Sequence, residues 1–230
     1  MEEWQRLELV IKKENIDKIK NKKILVIGLG GVGSYVVESL VRCGIENITI
    51  VDNDIIDITN INRQLLALHS TIKRKKVDVC EERILDINPN CRVTKIDTFI
   101  TKDNIDLLFK TKIDYIIDAC DFMETKKELI KYSIKNKINL ISSMGTGNKL
   151  DPTKLEIVDL RKTAYDPIAK ILRRMLKEEK IKEKVMVVCS SEIPLKTESK
   201  IIGSVSFVTS VAGLLCTSYV INHIIGENND

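Results

Sequence analysis

The stretch that decides the fold is "KILVIGLGGVGSYVVESL", residues 23–40. An apolar run leads into a glycine-rich turn, and a segment of helical length follows the turn. Gly28, Gly30 and Gly33 match the pattern G-x-G-x-x-G, and Gly31 lies inside the same turn. These glycines permit a tight turn, close approach of backbone N–H groups to phosphate, and close packing of a helix on a strand. The stretch therefore predicts a strand, turn and helix that bind a nucleotide at the positive end of the helix.

Apolar runs recur along the first two thirds of the chain, separated by segments of helical length. The runs lie at residues 24–28, 48–52, 92–97, 114–118 and 138–143. Such alternation is typical of right-handed βαβ units and a parallel sheet covered by helices on both faces. The sequence therefore predicts an α/β fold with a Rossmann-like, doubly wound, mostly parallel sheet.

The pattern changes after about residue 144. The stretch "SSMGTGNKLDPTKLEIVDL" contains glycines, an Asp-Pro step and an alternation typical of antiparallel strands. A basic segment follows at 161–184 and an apolar one at 201–226. We expect a single domain over 1–230. Residues 1–150 form its nucleotide-binding half, and 151–230 add antiparallel strands, a basic helix and an apolar C-terminal helix.

Local signals predict where some helices begin and end. Residues 3–20 carry an approximate apolar stripe at helical spacing. Pro89 disfavours helical geometry at Asn88, so a helix should end there. In "TKDNIDLLF", Thr101 is a candidate N-cap and Asp103 lies in the first turn, so we expect a helix to begin at this point.

Composition narrows the class of protein. Lys and Arg number 37 against 33 Asp and Glu, a net charge of +4 that is compatible with a polyanionic partner but too small to establish one. Six cysteines without a C-x-x-C pair, only two histidines and a charged N-terminus predict a cytoplasmic protein with reduced thiols and no zinc site. Polar residues interrupt the apolar segment 201–226, which favours a buried core helix over a membrane span.

The acidic residue after the second predicted strand indicates a nucleotide. Asp52 lies about 20 residues beyond the glycine turn, where this fold places an acid that binds ribose hydroxyls. By itself this pattern favours NAD, and a hydride-transferring oxidoreductase or a catalytically silent dinucleotide-binding module stays open.

The residues that follow favour a triphosphate instead of NAD. The loop "VDNDIIDITNINRQ" concentrates polar side chains, and its Arg63 can form a bidentate contact with phosphate oxygens. Lys76 can add a point charge, and the carboxylates of Asp54 and Asp121 can hold Mg²⁺. Asp121 lies just beyond the strand "DYIID", at the carboxyl end of the sheet where such folds bind ligands. Together these residues predict ATP and Mg²⁺.

At these motifs the chain resembles the adenylating superfamily that includes ThiF, MoeB and the ubiquitin-activating enzymes. The motifs follow one another in order as "GLGGVGS", "VDND", "TNINRQ", K-x-x-K-V at 73–77, "INP" at 87–89 and "DACD" at 118–121. The resemblance implies that Asp52 binds ribose, that Asp54 assists the metal and that Asp121 is the principal Mg²⁺ ligand. It places around the triphosphate the residues Asn60, Arg63, Gln64 and Lys76.

The N-terminal segment "WQRLELV" is similar to an aromatic-x-Arg segment of the same superfamily. In that superfamily the Arg reaches ATP bound by the other subunit of a dimer. The resemblance therefore implies a homodimer in which Arg6 acts in trans. A cation delivered across an interface would stabilise charge that develops on the phosphates.

Within the superfamily, the segment "DLRKTAYDPIAKILRRMLK" and the lack of C-x-x-C pairs resemble the tRNA threonylcarbamoyladenosine dehydratases, the TcdA or CsdL group. This resemblance implies ATP-dependent conversion of threonylcarbamoyladenosine in tRNA to a cyclic oxazolone through adenylation of the substrate carboxylate. The partner is then tRNA and not DNA, and a sulfur-transfer protein is a further partner to consider. The tRNA side would be formed by Arg161, Asp166, Pro167, Arg173 and Arg174.

One alternative shares every ATP residue: an adenylyltransferase that activates the C-terminal glycine of a ubiquitin-like sulfur carrier. The basic segment after residue 150 favours RNA over that carrier. Some relatives use a cysteine after the adenylation domain, and Cys189 is the residue to consider here. Its apolar strand "VMVVCSS" favours a buried thiol over a catalytic one.

Overall fold

The structure, a computed structural model, describes residues 3–199 and 201–226. In this part of the chain the strands are β1 (Lys23–Ile27), β2 (Asn47–Val51), β3 (Arg92–Ile96), β4 (Tyr115–Asp118), β5 (Asn139–Ser143), β6 (Leu155–Asp159) and β7 (Met186–Ser190). The α-helices are α1 (Gln5–Ile11), α2 (Lys13–Lys20), α3 (Gly33–Arg42), α4 (Lys76–Ile87), α5 (Met123–Asn136), α6 (Pro167–Glu178) and α7 (Ser206–Ile225).

All seven strands form one sheet in the order β3-β2-β1-β4-β5-β7-β6. Each neighbouring pair is parallel except β6 and β7, which pair antiparallel at the edge. The predicted mostly parallel, doubly wound sheet is therefore confirmed, with a single antiparallel strand at its edge. The strand order reverses direction between β1 and β4, and such a switch point opens a crevice at the carboxyl ends of the strands.

The sheet is buried on both faces. In β1, Ile24 and Val26 belong to the apolar cluster with α3 and α7, and Leu25 and Ile27 belong to the cluster with α5 and α6. Because successive side chains of a strand point to opposite faces, this division shows helices packed on either side. The central strand is therefore a rigid base for the loops at its carboxyl end.

Helix α7 packs along α3 in the core. A Cβ on its Gly213 would lie 2.5 Å from the carbonyl oxygen of Val32, so glycine is needed for this close approach. Thr217 donates a hydrogen bond from Oγ1 to the carbonyl oxygen of Val36 (3.2 Å). Within the described chain, α7 is the one helix long and apolar enough to cross a membrane, and half of its most apolar window is buried in the fold. Its place here is that of a core helix.

Two local predictions need correction. The helix expected from Thr101 is absent, and a 3₁₀ turn covers only Ile105–Phe109. The Asn104 side chain accepts from the Thr101 N–H (2.8 Å) and donates to the Phe99 carbonyl (2.9 Å), and such local bonds compete with helix formation. The helix expected over 3–20 is two helices, since Lys12 has φ +67°. Helix α4 ends at Ile87, as Pro89 predicts.

Candidate active site

The glycine turn between β1 and α3 needs glycine at two positions for steric reasons. Gly28 has φ +87°, and a Cβ there would lie 2.7 Å from the carbonyl oxygen of Ala119 on the neighbouring loop. A Cβ on Gly33 would lie 1.7 Å from the carbonyl oxygen of Gly28, inside the turn itself. The turn is therefore tight, and it brings the N-terminal N–H groups of α3 to the carboxyl end of the sheet, where an anion can bind them.

A cavity of about 590 Å³ opens beside this turn. Most of the residues that the sequence predicts for ATP and metal line it: Gly28, Gly30, Gly31, Asp52, Asp54, Asn60, Arg63, Gln64, Lys76 and Asp121. Gly33 lies beneath the turn, in the first turn of α3. Arg6 lies on α1 and is exposed, outside the cavity of its own chain. The structure thus brings every predicted ATP residue to the cavity except Gly33, which packs inside the turn, and Arg6, which is predicted to come from a partner subunit.

Lys76 and two carboxylates form a charged cluster on one wall. The buried Nζ of Lys76 lies 2.7 Å from Oδ2 of Asp54 and 3.7 Å from Oδ1 of Asp52. Asp52 accepts hydrogen bonds from the N–H groups of Leu29 (2.7 Å) and Asp54 (2.9 Å). Burial raises the pKa of the Asp52 carboxyl, and the charge of Lys76 opposes that rise. Asp52 is therefore held in place by the glycine turn, which fits its predicted role.

The loop after β2 supplies three further polar side chains. The Asn60 side chain accepts from the N–H of Asp57 (3.1 Å), which fixes its position. Arg63 donates from Nη1 to the carbonyl oxygen of Thr59 (3.0 Å) and leaves its other guanidinium nitrogens without hydrogen-bond partners among the described residues. Gln64 is buried, and its Oε1 has no hydrogen-bond partner in the described part of the chain. A buried amide with an unpaired end fits a bound ligand that supplies the missing partner.

A buried ion pair that the sequence analysis missed lies under the cavity. The side chains of Asp118 and Lys126 are almost fully buried, and Nζ lies 2.9 Å from Oδ2. Nζ also donates to Oγ of Ser142 (3.2 Å) and to the carbonyl oxygen of Ser143 (2.8 Å). Burial alone lowers the pKa of Lys126, but the Asp118 carboxylate outweighs burial and holds that pKa above its usual value. The pair ties the end of β4 to β5 and to α5.

This buried pair fixes the loop that carries Asp121. Oδ1 of Asp118 accepts from the N–H of Cys120 (3.2 Å), immediately before Asp121. Asp121 itself is exposed and borders the cavity, as Asp54 does. Two accessible carboxylates fit Mg²⁺, which prefers a few carboxylate oxygens together with water and substrate phosphates. Burial and the neighbouring Asp118 raise the pKa of the Cys120 thiol well above normal, so this thiol is not a thiolate nucleophile.

Comparison with known proteins agrees with this geometry. The ThiF family pattern matches residues 4–230. This chain belongs to the ThiF family. It is 42% identical to the tRNA threonylcarbamoyladenosine dehydratase of Bacillus subtilis, over 99% of this chain and 96% of that protein. The predicted resemblance to the adenylating superfamily and to its dehydratase branch is therefore confirmed.

Solved structures of a dehydratase agree with the ThiF assignment. The E. coli tRNA N6-threonylcarbamoyladenosine dehydratase TcdA in complex with ATP superposes with a TM-score of 0.92 at 35% identity. That match covers 98% of this chain and 94% of TcdA. The same enzyme in complex with AMP gives a TM-score of 0.92 at 36% identity, with 97% and 94% covered.

In this ThiF-family chain, most residues of the predicted tRNA side make structural contacts. Arg161 donates to the carbonyl oxygens of Ile181 (2.8 Å) and Glu183 (2.9 Å). Arg173 donates to the carbonyl oxygen and the hydroxyl of Thr163. Pro167 is the first residue of α6, and Arg174 pairs with Glu178 on the exposed face of that helix. The Asp-Pro motif and the contacts of Arg161 and Arg173 with the backbone therefore stabilise the segment.

Asp166 connects the basic helix of this ThiF-family chain to the cavity. Its Oδ1 accepts from the N–H of Ala169 (2.7 Å) and caps α6, and its Oδ2 accepts from the N–H of Gly145 (2.9 Å). Gly145 also lines the cavity. The sequence analysis missed this contact, although Asp before Pro at a helix start is a capping signal.

Cys189 lies inside β7 of this ThiF-family chain and is buried. Burial raises the pKa of its thiol to about 11, so the neutral thiol dominates near pH 7. The structure places it as the sequence predicts, as a core residue. Among the described residues no group of three His, Cys, Asp or Glu side chains is arranged to hold a metal ion.

Proposed function

We propose that this chain is an ATP-dependent tRNA threonylcarbamoyladenosine dehydratase that acts through an acyl-adenylate. The observation that carries the proposal is the cavity, where Asp52, Lys76, Arg63 and Asp121 meet beside a phosphate-binding glycine turn. Nearly full-length identity of 42% to a tRNA threonylcarbamoyladenosine dehydratase supports the same substrate. A dehydrogenase is not favoured, since a nicotinamide needs a flat apolar slot and these groups suit a triphosphate.

The reaction needs positioning and charge stabilisation and no protein nucleophile. The substrate carboxylate attacks the α-phosphorus of ATP, and pyrophosphate leaves as the acyl-adenylate forms. The carbamoyl oxygen of the same modification then attacks the activated carbonyl carbon, a carbamoyl N–H loses its proton, AMP leaves and an oxazolone ring closes. The sum of the two steps is loss of one water. Because both reacting groups belong to one molecule, the ring closure is effectively unimolecular.

Each group on the ATP side has a role in this scheme. Asp52 holds the ribose hydroxyls, and the N–H groups at the start of α3 bind phosphate oxygens. Arg63 and Lys76 oppose the charge that develops as pyrophosphate leaves. Lys76 must exchange its 2.7 Å contact with Asp54 for a phosphate oxygen, which frees Asp54 for a cation.

Mg²⁺ is the cation we propose, held by Asp121 with help from Asp54. Its chemistry would be neutralisation of phosphate charge during departure of pyrophosphate. Both carboxylates are accessible from the cavity. Asp118 is buried and paired with Lys126, so its carboxylate is not available to bind a cation.

We further propose a homodimer in which Arg6 completes the site of the partner subunit. Arg6 is exposed on α1 and does not line the cavity of its own chain, and Leu9 and Val10 on the same helix are 83% and 80% exposed. Mixing Arg6→Ala protomers with Asp121→Asn protomers tests this arrangement. Recovered activity in the mixed dimer supports action in trans, and activity of the mixture no higher than the sum of the two variants contradicts it.

The main experiment incubates the chain with ATP, Mg²⁺ and tRNA that carries threonylcarbamoyladenosine. We expect pyrophosphate and AMP in equal amounts, and a tRNA nucleoside lighter by one water. The Asp121→Asn variant should lose both products, while Asp103→Asn, an exposed carboxylate outside the cavity, should keep them. Pyrophosphate release without any change in tRNA would contradict the proposal and favour a carrier-protein substrate. Cytoplasmic location and a sulfur-transfer partner stay predictions.

A further inference from the structure

Tyr165 has a backbone conformation that its side chain disfavours. Its φ is +55°, in the left-handed region that glycine adopts easily and a bulky side chain does not. The side chain is 58% exposed, and among the described residues no hydrogen bond to its hydroxyl is formed. The ring is therefore largely open to a ligand, and disfavoured backbone conformations of this kind cluster at functional sites.

The residues around Tyr165 hold it in place. On one side, Thr163 is buried, donates from Oγ1 to the carbonyl oxygen of Leu160 (2.7 Å) and accepts from Arg173. On the other side, Asp166 is buried and accepts from both α6 and Gly145. Tyr165 is therefore an exposed ring between two anchored neighbours, which reduces the entropy that a ligand contact costs.

The chain neighbours of Tyr165 connect it to the cavity on one side and to exposed lysines on the other. Gly145, which Asp166 holds, and Ile168 line the cavity. Lys162, Lys170 and Lys177 are exposed and form no ion pair in the part of the chain that the structure describes. A ligand that suits an exposed aromatic ring, unpaired lysines and an adjoining cavity is anionic, has flat groups and extends into the cavity. Single-stranded RNA has these properties, and its unstacked bases commonly stack on exposed aromatic rings.

We propose that Tyr165 is a stacking platform for an unpaired base of the tRNA loop, next to the adenosine that enters the cavity. This inference rests on the proposed function, because it takes tRNA as the substrate. The left-handed backbone turns the ring out of the segment, and the neighbouring lysines contact the phosphates of the same loop.

The Tyr165→Gly variant gives a test that separates binding from folding. Glycine relieves the disfavoured φ, so we expect an unfolding midpoint in urea equal to or above that of the wild type. Loss of one stacked base should raise KM for tRNA about tenfold. KM for ATP, and kcat at saturating tRNA, should stay unchanged. Tyr165→Phe keeps the ring and should retain the wild-type KM for tRNA.

Lys137→Gly is the matched control. Lys137 is also exposed, has φ +54° and ends α5 before the amino end of β5, away from the cavity. Its replacement should change stability in the same direction as Tyr165→Gly and leave KM for tRNA unaltered. An unchanged KM for tRNA in Tyr165→Gly overturns the platform. A Tyr165→Phe variant as weak as the glycine variant also overturns it.

Direct binding distinguishes failure of the platform from failure of the proposed function. Anisotropy of a labelled anticodon stem-loop RNA, without ATP, should show weaker binding to Tyr165→Gly than to Tyr165→Phe. If the wild type binds this RNA through Tyr165 but releases no pyrophosphate with modified tRNA, the platform stands and the proposed reaction fails. If turnover is normal and all variants bind the RNA equally, the reaction stands and the platform fails.

Discussion

The ATP side of the cavity and the basic segment around α6 use similar charged residues for different purposes. On the ATP side, Arg63, Lys76 and Asp121 border the open cavity. In the basic segment, which Asp166 connects to the cavity, Arg161 and Arg173 donate to backbone carbonyl oxygens. A basic motif can thus shape a surface through contacts with the backbone instead of presenting all its charges to a ligand. Which charges are free to bind is decided by their partners in the folded chain.

Removing Lys126 from the buried Asp118–Lys126 pair should have the largest effect on stability. It tests whether this pair holds the ATP side of the cavity rigid. In Lys126→Met, the Asp118 carboxylate stays buried without its cation, so we expect a loss of about 3–5 kcal/mol in unfolding free energy. Urea unfolding measures this loss. Lys127→Met, at the less buried next position of α5, should cost less than about 0.5 kcal/mol. An equal loss of unfolding free energy in the two variants would show that the Asp118–Lys126 pair does not stabilise the loop that carries Asp121.

Arg63→Ala should separate ATP chemistry from stability. Arg63 is half-buried and its hydrogen bonds are local to its own loop, so the unfolding midpoint should change little. Turnover should fall about 10²–10³-fold, as for loss of one group that stabilises transition-state charge. Pyrophosphate release measures turnover, and Arg74→Ala, which loses only an exposed pair with Glu82, is the control. A fall in turnover below about threefold would contradict the role of Arg63.

Asp166→Ala should show that the basic segment is linked to the cavity. Loss of the α6 cap should cost about 1–2 kcal/mol, and the Gly145 N–H loses its acceptor as well. The unfolding free energy, measured in urea, and kcat should therefore both decrease. Asp166→Asn retains one acceptor oxygen and should recover part of the stability. An Ala variant with normal kcat would mean that the turn at Gly145 does not depend on α6.

A double change of Lys170 and Lys177 to Gln should have the smallest effect, confined to tRNA. Both side chains are exposed on α6, and removing two phosphate contacts should reduce the slope of log K against log salt by about 1 to 2. The measurement is tRNA binding over a salt series. Lys110→Gln/Lys135→Gln, which removes the same charge elsewhere on the surface, is the control. An unchanged slope in the Lys170/Lys177 variant would place the RNA away from this helix.

Most of the fold and much of the ATP side could be predicted because their signals are local. The glycine turn, the strand before it and Asp52 after the next strand lie within 30 residues, and each follows from short-range geometry. The error at Thr101 arose in the same kind of window, because the capping pattern does not show that the Asn104 side chain bonds the backbone first.

The amino-acid sequence by itself determined the family, the order of the strands along the chain and the polar groups placed at their carboxyl ends. Only the tertiary structure decided which charges are buried and paired. Lys126 meets Ser142 across 16 positions, and Asp166 meets Gly145 across 21. Such contacts depend on how helices and strands pack, and packing distance has no short-range signature in the chain. Tyr165 follows the same rule, since its left-handed backbone is held by neighbours that are themselves fixed from elsewhere in the fold.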